Sequence, residues 1–438
     1  MKVITMILVC LLSINPTCIK AQETFRSFND LINQVAAKSL TLRNGEISLT
    51  QAKRAKLAAI YGIIEPTGGL TGSYTNSTKL PVSLIPSEIL GGQSGTFQEV
   101  KFGVQYVTNL NGYAEVKLLN IQGWENLRLS KINIQVNESE NKIKLKNWQE
   151  NIAVVYFNIV TLQEQLKSSE LYLLAADTLY GFTLLKYNNG LANQQDVNDS
   201  KVNKLNVEVS KIQIQFHLSQ QYVALKILCD IPENEVVVIA QDVNVAPSLR
   251  NSLVEKNTLL LNNAALNEKL AKSAYRRAKY SFAPTASIFA SYQEQQYNTQ
   301  SRLFDNKIDF TPSNYVGIKL SIPIPSSQSF TQSSKAKYDY LLSTNNTEQM
   351  NIQVDLNTKM LQTDYEESKA LFESNHEIYS LRKDTYQKNK LNYNEGVLTL
   401  EQTINSFSAM VNSNYNYISS AINILLAETK ININNNIK

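Results

Sequence analysis

Cysteine and histidine are nearly missing from this chain: three and two residues in 438. That leaves little material for a zinc or iron centre. Glycine (15) and proline (10) are scarce for this length, which argues against an all-β protein with many turns and for long uninterrupted helices. Neither sign of charge dominates, with 42 Lys+Arg against 38 Asp+Glu, so a polyanionic nucleic acid is not indicated as partner. Beyond the N-terminus no run of about 20 apolar residues occurs, which excludes a helical span but not a β-barrel, whose strands are short and alternate. The patterns H-E-x-x-H, C-x-x-C, G-x-G-x-x-G, Walker A and G-x-S-x-G are absent. His217 and His376 stand alone. No cofactor, no metal and no enzymatic activity are expected.

The N-terminus reads as a secretory signal peptide over residues 1–21. Lys2 supplies the positive region, Val3 to Ile14 the apolar region, Asn15-Pro16 the break, and Ala21 the small residue at the cleavage position. Removing residues 1–21 takes away Lys2 and Lys20 and no acid, and lowers the formal charge from +4 to +2. It also leaves Cys229 without a disulfide partner. Cys18 is either discarded with the signal or serves as a lipid acceptor, an arrangement that Asn15-Pro16-Thr17 suits poorly.

What the sequence does contain is self-similarity. Ile64-Glu65-Pro66-Thr67, running to Ser73-Tyr74, matches Phe282-Ala283-Pro284-Thr285, running to Ser291-Tyr292. Tyr187-Asn188-Asn189-Gly190-Leu191 matches Tyr393-Asn394-Glu395-Gly396-Val397, and Ser200 falls on Ser406 in the same register. Such repetition marks a duplicated unit of about 210 residues. We read the two copies as 22–240 and 241–438, joined near Pro232 to Asn251.

Each copy begins with a helix, over about Phe25 to Ile60 and about Ser252 to Tyr280, and then enters a pair of strands. Val100, Phe102, Val104 and Tyr106 alternate with Glu99, Lys101, Gly103 and Gln105. Ala286, Ile288, Ala290 and Tyr292 alternate with Thr285, Ser287, Phe289 and Ser291; Val316, Ile318, Leu320 and Ile322 alternate with Tyr315, Gly317, Lys319 and Ser321. Period two with one apolar face predicts half-buried strands. The run from Gly68 to Asn76 carries the pattern diluted by glycine. Glu99, Lys101 and Lys319 fall on a common polar side. Long polar loops, Ser77 to Thr96 and Asn298 to Pro312, join the strands. Tyr74, Tyr106, Tyr292 and Tyr315 suit an interfacial aromatic girdle. Four strands cannot close a barrel alone, whereas several chains together could.

Long helices follow each strand pair. Trp148, Ile152, Val155, Ile159, Leu162 and Leu166 fall at spacings of four and three, continuing through Leu173, Ala176, Tyr180 and Tyr187 and resuming with Val202, Leu205, Val209, Ile212, Phe216 and Val223. The second copy carries Tyr365, Phe372, Tyr379, Tyr386 and Tyr393 every seven residues, then Val397, Leu400, Ile404, Phe407, Val411, Ile418 and Leu425. This repeat predicts coiled-coil packing, with the aromatics in the seam and ligand stacking as the alternative. Gly190 and Gly396 sit where each helical hairpin would reverse.

Export signal, tandem repeat, paired strands and heptad hairpins together resemble the TolC family of outer-membrane efflux proteins, over essentially the whole mature chain. The resemblance implies an α+β, mainly α fold: long coiled-coil hairpins plus four strands per chain. Three chains would close a 12-strand transmembrane barrel above a periplasmic helical tunnel. It implies a homotrimer in the outer membrane of a Gram-negative bacterium, in contact with outer-membrane lipid and extending into the periplasm. There it would work with a periplasmic adaptor (membrane fusion) protein and an inner-membrane pump of RND or ABC type, in tripartite efflux or type I secretion. The strand residues Val100, Phe102, Val104, Tyr106, Ile288, Tyr292, Val316, Ile318 and Leu320 would face lipid.

The resemblance also assigns roles at the tips. Gly190-Leu191 and Gly396-Val397 would meet an adaptor; equally, each glycine permits a left-handed turn. The constriction tyrosine falls on Tyr393 and its aspartate partner on Asp196, while the family arginine falls on Leu398, so one link is absent. The family's lumen aspartates fall on Gln402 and Asn405. Carboxylates stand instead at Asp196, Asp199 and Glu401, where they either form a cation-favouring ring or serve as a solvated face and helix caps. With no nucleotide site the chain offers a conduit, not a motor. Drugs, metals and polypeptides remain open as cargo. The alternative reading is a secreted coiled-coil scaffold or adhesin; a third is an exported enzyme with an unrecognised site.

Overall fold

The computed structural model describes residues 22–240, 253–303 and 307–437. The expected leader with Cys18, and most of the segment joining the two halves, lie outside the described residues. In chain order the elements are β1 (Gln22–Phe25), α1 (Phe28–Ala36), α2 (Leu40–Ile64), β2 (Thr67–Asn76), β3 (Val82–Pro86), a 3-10 turn (Ser87–Leu90), β4 (Phe97–Lys101), β5 (Tyr106–Leu119), α3 (Ile121–Asn188), α4 (Gln194–Leu228), β6 (Val236–Ile239), α5 (Leu259–Tyr280), β7 (Thr285–Asn298), β8 (Thr311–Ser321), α6 (Ser327–Asn394) and α7 (Leu400–Asn436). The chain is mainly helical with several strands, as expected. Among the described residues no helix is long and apolar enough to cross a membrane.

The two longest helices contain no proline, and each runs 68 residues. They begin at 121 and 327 and end at 188 and 394, so both ends are 206 apart; α4 and α7 begin at 194 and 400, again 206 apart. Two compact units divide the chain: one holds the described parts of Met1–Ile47, Glu138–Asn263 and Glu348–Lys438, the other Ser48–Asn137 and Ala264–Thr347. Each unit draws on both halves of the sequence.

In the helical unit, α3 and α4 pack antiparallel: the Trp148 indole N–H donates to the Leu228 carbonyl at 3.0 Å, and Lys211–Glu170 and Lys204–Asp177 bridge the pair. The core joins Phe25, Leu31, Ile152, Tyr156, Ile159 and Leu225. Cys229 is buried within it, a small apolar residue as its surroundings demand. β1 lies parallel to β6, pairing Phe25 with Ile239. The aromatic heptad is seam packing: Tyr386 meets Phe407 at 5.1 Å, and Phe372 and Tyr379 stack on Tyr417.

One heptad behaves differently. Val202, Leu205, Val209, Ile212, Phe216 and Val223 are all exposed, while α4 turns Val197, Ser200, Asn203, Val207 and Ile214 inward. The apolar spacing in α4 is real, but this chain does not cover it.

The other unit holds a four-stranded antiparallel sheet in the order β2-β5-β7-β8. Pro66 stands just past the end of α2, after Glu65 at φ 38°, where the residue before proline is disfavoured in the right-handed helical region; α5 already ends at Tyr280, and a turn over 281–283 leads to Pro284. β2 and β7 accordingly begin at Thr67 and Thr285. Asn120 fixes this corner: its amide donates to the carbonyls of Gly62 and Ile63, and its Oδ1 accepts from the Gly123 N–H at the start of α3.

The first-copy strand lies elsewhere than the sequence reading put it. Val100 belongs to β4, which forms a separate hairpin with β3; Phe102 and Val104 lie in no strand; Tyr106 only opens β5. Gly103, at φ 107°, breaks the backbone where the alternation looked continuous. Glu99 and Lys101 therefore sit in the hairpin, apart from Lys319. The connection between β2 and β5 is a structured excursion, with the carboxylate of Glu88 accepting from Ser94 Oγ and the Gly95 N–H, both at 2.7 Å.

Candidate functional site

Register decides what each face of the four-stranded sheet carries. Leu70 lies opposite Gly112, Gly112 opposite Tyr292, and Tyr292 opposite Asn314; Ala114 lies opposite Ala290, and Ala290 opposite Val316; Val116 lies opposite Ile288, and Ile288 opposite Ile318. In antiparallel pairing, opposite residues share a face. Leu70, Leu110, Val116, Ile288, Tyr292, Val316, Ile318 and Leu320 therefore lie together, with Leu70 91%, Val316 77% and Ile318 78% exposed. The opposite face carries Asn109, Asn111, Glu115, Ser287, Ser291, Gln293 and Lys319, knitted by side-chain bonds. Ser291 donates to Asn111 at 3.1 Å, Gln293 to Asn109 at 3.0 Å, and Ser287 to Glu115 at 2.7 Å, with Lys319 3.3 Å from Glu115.

A sheet in water would bury its apolar face. This one leaves its apolar face exposed, while most of the polar residues opposite are half-buried among their own hydrogen bonds. Its outer strands also have free edges: among the described residues β2 pairs only with β5 and β8 only with β7. A row of unpaired backbone donors and acceptors is a template for another strand.

The helical unit carries the tips. At the end of α3 the Leu191 N–H donates to the Lys186 carbonyl and the Gly190 N–H to Tyr187; at the end of α6 the Val397 N–H donates to Asn392 and the Gly396 N–H to Tyr393. Both are the same six-to-one and five-to-two pattern that closes a helix on a left-handed residue. Gly190 and Gly396 stand at φ 74° and 78°. Leu191 and Val397, next in each turn, are exposed.

Asp196 and Gln402 are N3 residues of capping boxes. Asp196 accepts from the Asn193 N–H at 3.0 Å while Asn193 Oδ1 accepts from the Asp196 N–H at 2.8 Å; Thr399 and Gln402 do the same for α7. The side chains of Asp199, Glu401 and Asn405 are exposed and make no hydrogen bond or ion pair among the described residues.

Tyr393 is buried beside Leu179 and Leu400 and meets the Phe182 ring edge-on at 6.1 Å. Its hydroxyl lies 3.3 Å from Thr183 Oγ1, which itself donates to the Leu179 carbonyl, so the phenol is the donor. Burial, with the negative charge of Asp196 adding to it, pushes the Tyr393 phenol above its ordinary value. Lys186 donates to the Tyr393 carbonyl at 2.9 Å and lies over its ring. The sequence reading missed Lys186 and Thr183. Lysine in the last turn of a long helix was the available signal, since it complements the C-terminal dipole.

No protein-family profile and no curated protein matches this sequence. Solved structures do match in fold. The outer membrane protein VceC from Vibrio cholerae aligns with TM-score 0.73 and 16% identity, over 93% of this chain and 95% of that one. The CmeC outer membrane channel of Campylobacter jejuni gives 0.70 and 13%, over 92% and 85%. The open state of the MtrE outer membrane channel of Neisseria gonorrhoeae gives 0.70 and 12%, over 93% and 88%. At these identities the likeness is one of fold, and the fold of this chain is that of the TolC-like outer-membrane channels.

Proposed function

We propose that the chain is an outer-membrane channel, a passive duct formed by three copies and coupled to an inner-membrane pump of RND or ABC type through a periplasmic adaptor. The observation that carries this reading is the inverted sheet: an exposed apolar face, a hydrogen-bonded polar face and two free edges. Pairing β2 of one copy with β8 of the next joins three sheets into a closed 12-strand barrel with no edge left over. Ile288, Tyr292, Val316, Ile318 and Leu320 then face lipid, and Asn109, Asn111 and Gln293 face water. The exposed heptad of α4 supplies a helical seam for a neighbouring copy.

The stretches 22–240 and 241–438 are two copies of one unit, a reading supported by the 206-residue spacing of their helices. Gly190-Leu191 and Gly396-Val397 receive the adaptor, their exposed aliphatic side chains suiting a helical partner. Asp199, Glu401 and Asn405 stand at the constriction, held in place by the caps of Asp196 and Gln402. The resemblance leaves Leu398 where an arginine would brace the closed tip, and Lys186 supplies a cation from the other hairpin. The duct carries out no chemistry; drugs, metals and polypeptides all fit it as cargo. It sits in the outer membrane of a Gram-negative bacterium and extends into the periplasm.

The test is the mass of the membrane-extracted protein by light scattering, corrected for bound detergent. A mass near three chains, extracted only by detergent, together with discrete conductance steps in planar bilayers, is the expected outcome. A monomer or dimer that needs no detergent overturns the channel and leaves a coiled-coil scaffold.

A further inference from the structure

We infer that the helix segments adjoining the sheet form a collar that binds anionic phospholipid headgroups on the helix side of the bilayer. The inference rests on the barrel reading above. Charge is balanced over the whole chain, yet residues 48–66, 120–137, 264–284 and 322–347 hold twelve Lys and Arg against four Asp and Glu. Each of the four acids is already engaged. Glu65 pairs with Lys117 at 2.6 Å, Glu125 accepts from Ser273 at 2.6 Å, Glu268 from Thr344 at 3.4 Å, and Asp339 pairs with Lys335 at 2.6 Å. Among the described residues the surplus positive charge has no acidic partner.

The same order of residues recurs on all four helices that feed the sheet. Moving away from β2 along α2, exposed Ile64, Tyr61, Ile60 and Leu57 come first, then Arg54 and Lys53. Beyond β5 comes Trp124, 60% exposed, then exposed Arg128 and Lys131. Away from β7 along α5, Tyr280 precedes Lys279, Arg276, Lys272 and Lys269, which keep a 3-4-3 spacing on one face. Beyond β8, exposed Ile322, Ile324 and Phe330 precede Lys337.

Strand apolar face, then aromatic and aliphatic belt, then lysine and arginine is the depth order of a bilayer: hydrocarbon, interface, phosphate. Arg128 and Lys131 lie about 6 and 10 Å beyond Trp124 along the helix axis. The headgroup layer is about 5–8 Å deep, and the long basic stems cover the rest by reaching back. Lysines that faced an aqueous pore would not need this apolar belt, so the pattern favours lipid over an anionic cargo. Surplus positive charge selects acidic headgroups over zwitterionic ones.

The test uses the full-length, detergent-extracted protein in bilayers of phosphatidylethanolamine alone and mixed with phosphatidylglycerol. Retained lipid is counted by native mass spectrometry. We expect phosphatidylglycerol to be retained about tenfold over its share, and the preference to collapse between about 0.05 and 1 M salt, where screening removes surface attraction. The variant R128Q/K269Q/K272Q/K279Q should lose several-fold of the preference while keeping its light-scattering mass. Equal retention of the two lipids, or a preference indifferent to salt, overturns the collar; the salt titration needs no variant. An unchanged lipid preference in the variant together with a reversal potential shifted toward cations also overturns it, by placing these side chains in the pore. A protein that enters neither bilayer overturns the barrel, and the collar with it.

Discussion

The Lys186 ammonium lies 4.0 Å from the centroid of the Tyr393 ring and donates to the carbonyl oxygen of that same residue at 2.9 Å. One side chain at the end of α3 thus holds both the ring and the backbone at the end of α6. The contact couples the two helical hairpins at their tips. It draws its charge from the first half of the sequence, and Leu398 in the second half carries none.

Lys186→Met keeps the stem and removes the charge. A cation–π contact with a charge-assisted hydrogen bond at a half-buried site is worth about 1–3 kcal/mol. The closed tip should then lose about tenfold or more of its advantage. Single-channel recordings should give a correspondingly higher open probability for Lys186→Met, with Lys186→Arg near the parent. Identical open probabilities would show that the contact does not hold the tip shut.

The two tip glycines predict a backbone effect without a packing effect. A Cβ added at Gly190 or Gly396 meets nothing within 4 Å. The cost is left-handed strain alone, on the order of 1–2 kcal/mol for alanine and less for asparagine. Thermal unfolding should rank parent, Gly396→Asn, Gly396→Ala in falling stability, with Gly190 following the same order. If the alanine variants matched the parent, the turns would have to rearrange readily.

Much of this architecture was legible, for identifiable reasons. The prolines at 66 and 284 place the starts of β2 and β7, because proline acts on its immediate neighbours. The helix-closing role of Gly190 and Gly396 is equally local. The cap of α4 was readable too, since Asn193-x-x-Asp196 is a helix-start pattern. β5 was missed although Leu110, Gly112, Ala114, Val116 and Leu118 alternate with Asn109, Asn111, Tyr113, Glu115 and Lys117. A better-looking alternation just upstream, interrupted by the left-handed Gly103, drew the assignment away. The partner of a face is not local information. The α4 heptad and the α7 heptad look alike in sequence, yet Phe407 and Val411 are buried and Val209 and Ile212 are not. Contact between Lys186 and Tyr393 spans 207 positions and leaves no trace in either segment.

Strand β8 offers two positions, five residues apart, with opposite expectations. Ile318 lies on the apolar face and Ser313 on the polar one. Arginine on a lipid face costs about 2–4 kcal/mol near the bilayer midplane, whereas a lumen position tolerates charge. Ile318→Arg should therefore reduce folded protein in the membrane fraction, while Ser313→Arg should insert normally and alter only ion selectivity. Equal insertion of both variants would contradict the assignment of the faces.

The hairpin formed by β3 and β4 carries an acid-sensitive clasp. Hydrogen bonds from the Ser94 hydroxyl, the Gly95 amide and the Glu88 backbone hold the Glu88 carboxyl below its ordinary value. A depressed carboxyl stabilises the turn above its unfolded value, and the contribution fades as pH falls through the folded one. The protection factor of the Gly95 amide, its observed exchange rate compared with that of an unstructured amide at the same pH, should be high at neutral pH and fall as pH drops through the lowered folded value of Glu88. Glu88→Gln should show low protection of the Gly95 amide at every pH. A Gly95 amide equally protected in acid would mean the carboxylate is not what holds it.

The exposed heptad on α4 has the largest consequence for assembly. Val209, Ile212 and Phe216 follow one another at the three- and four-residue steps of a coiled-coil seam, and all three are exposed in the single chain. The α4 residues facing inward include Ser200 and Asn203, so rotating the helix to bury the seam would turn those polar groups out and break the antiparallel contacts with α3. In the proposed three-copy channel, a helix of another copy covers this seam. Ile212→Lys with Phe216→Lys removes two apolar knobs and adds a repelling charge at each symmetry-related contact. Strand pairing between copies remains possible, but the helical part loses its seal. Light scattering should report a mixture shifted toward single chains, with the helical circular dichroism of each chain retained because neither residue contributes to its internal core. A variant that stays near three chains at the parent's stability would assign the seam to a partner other than a second copy.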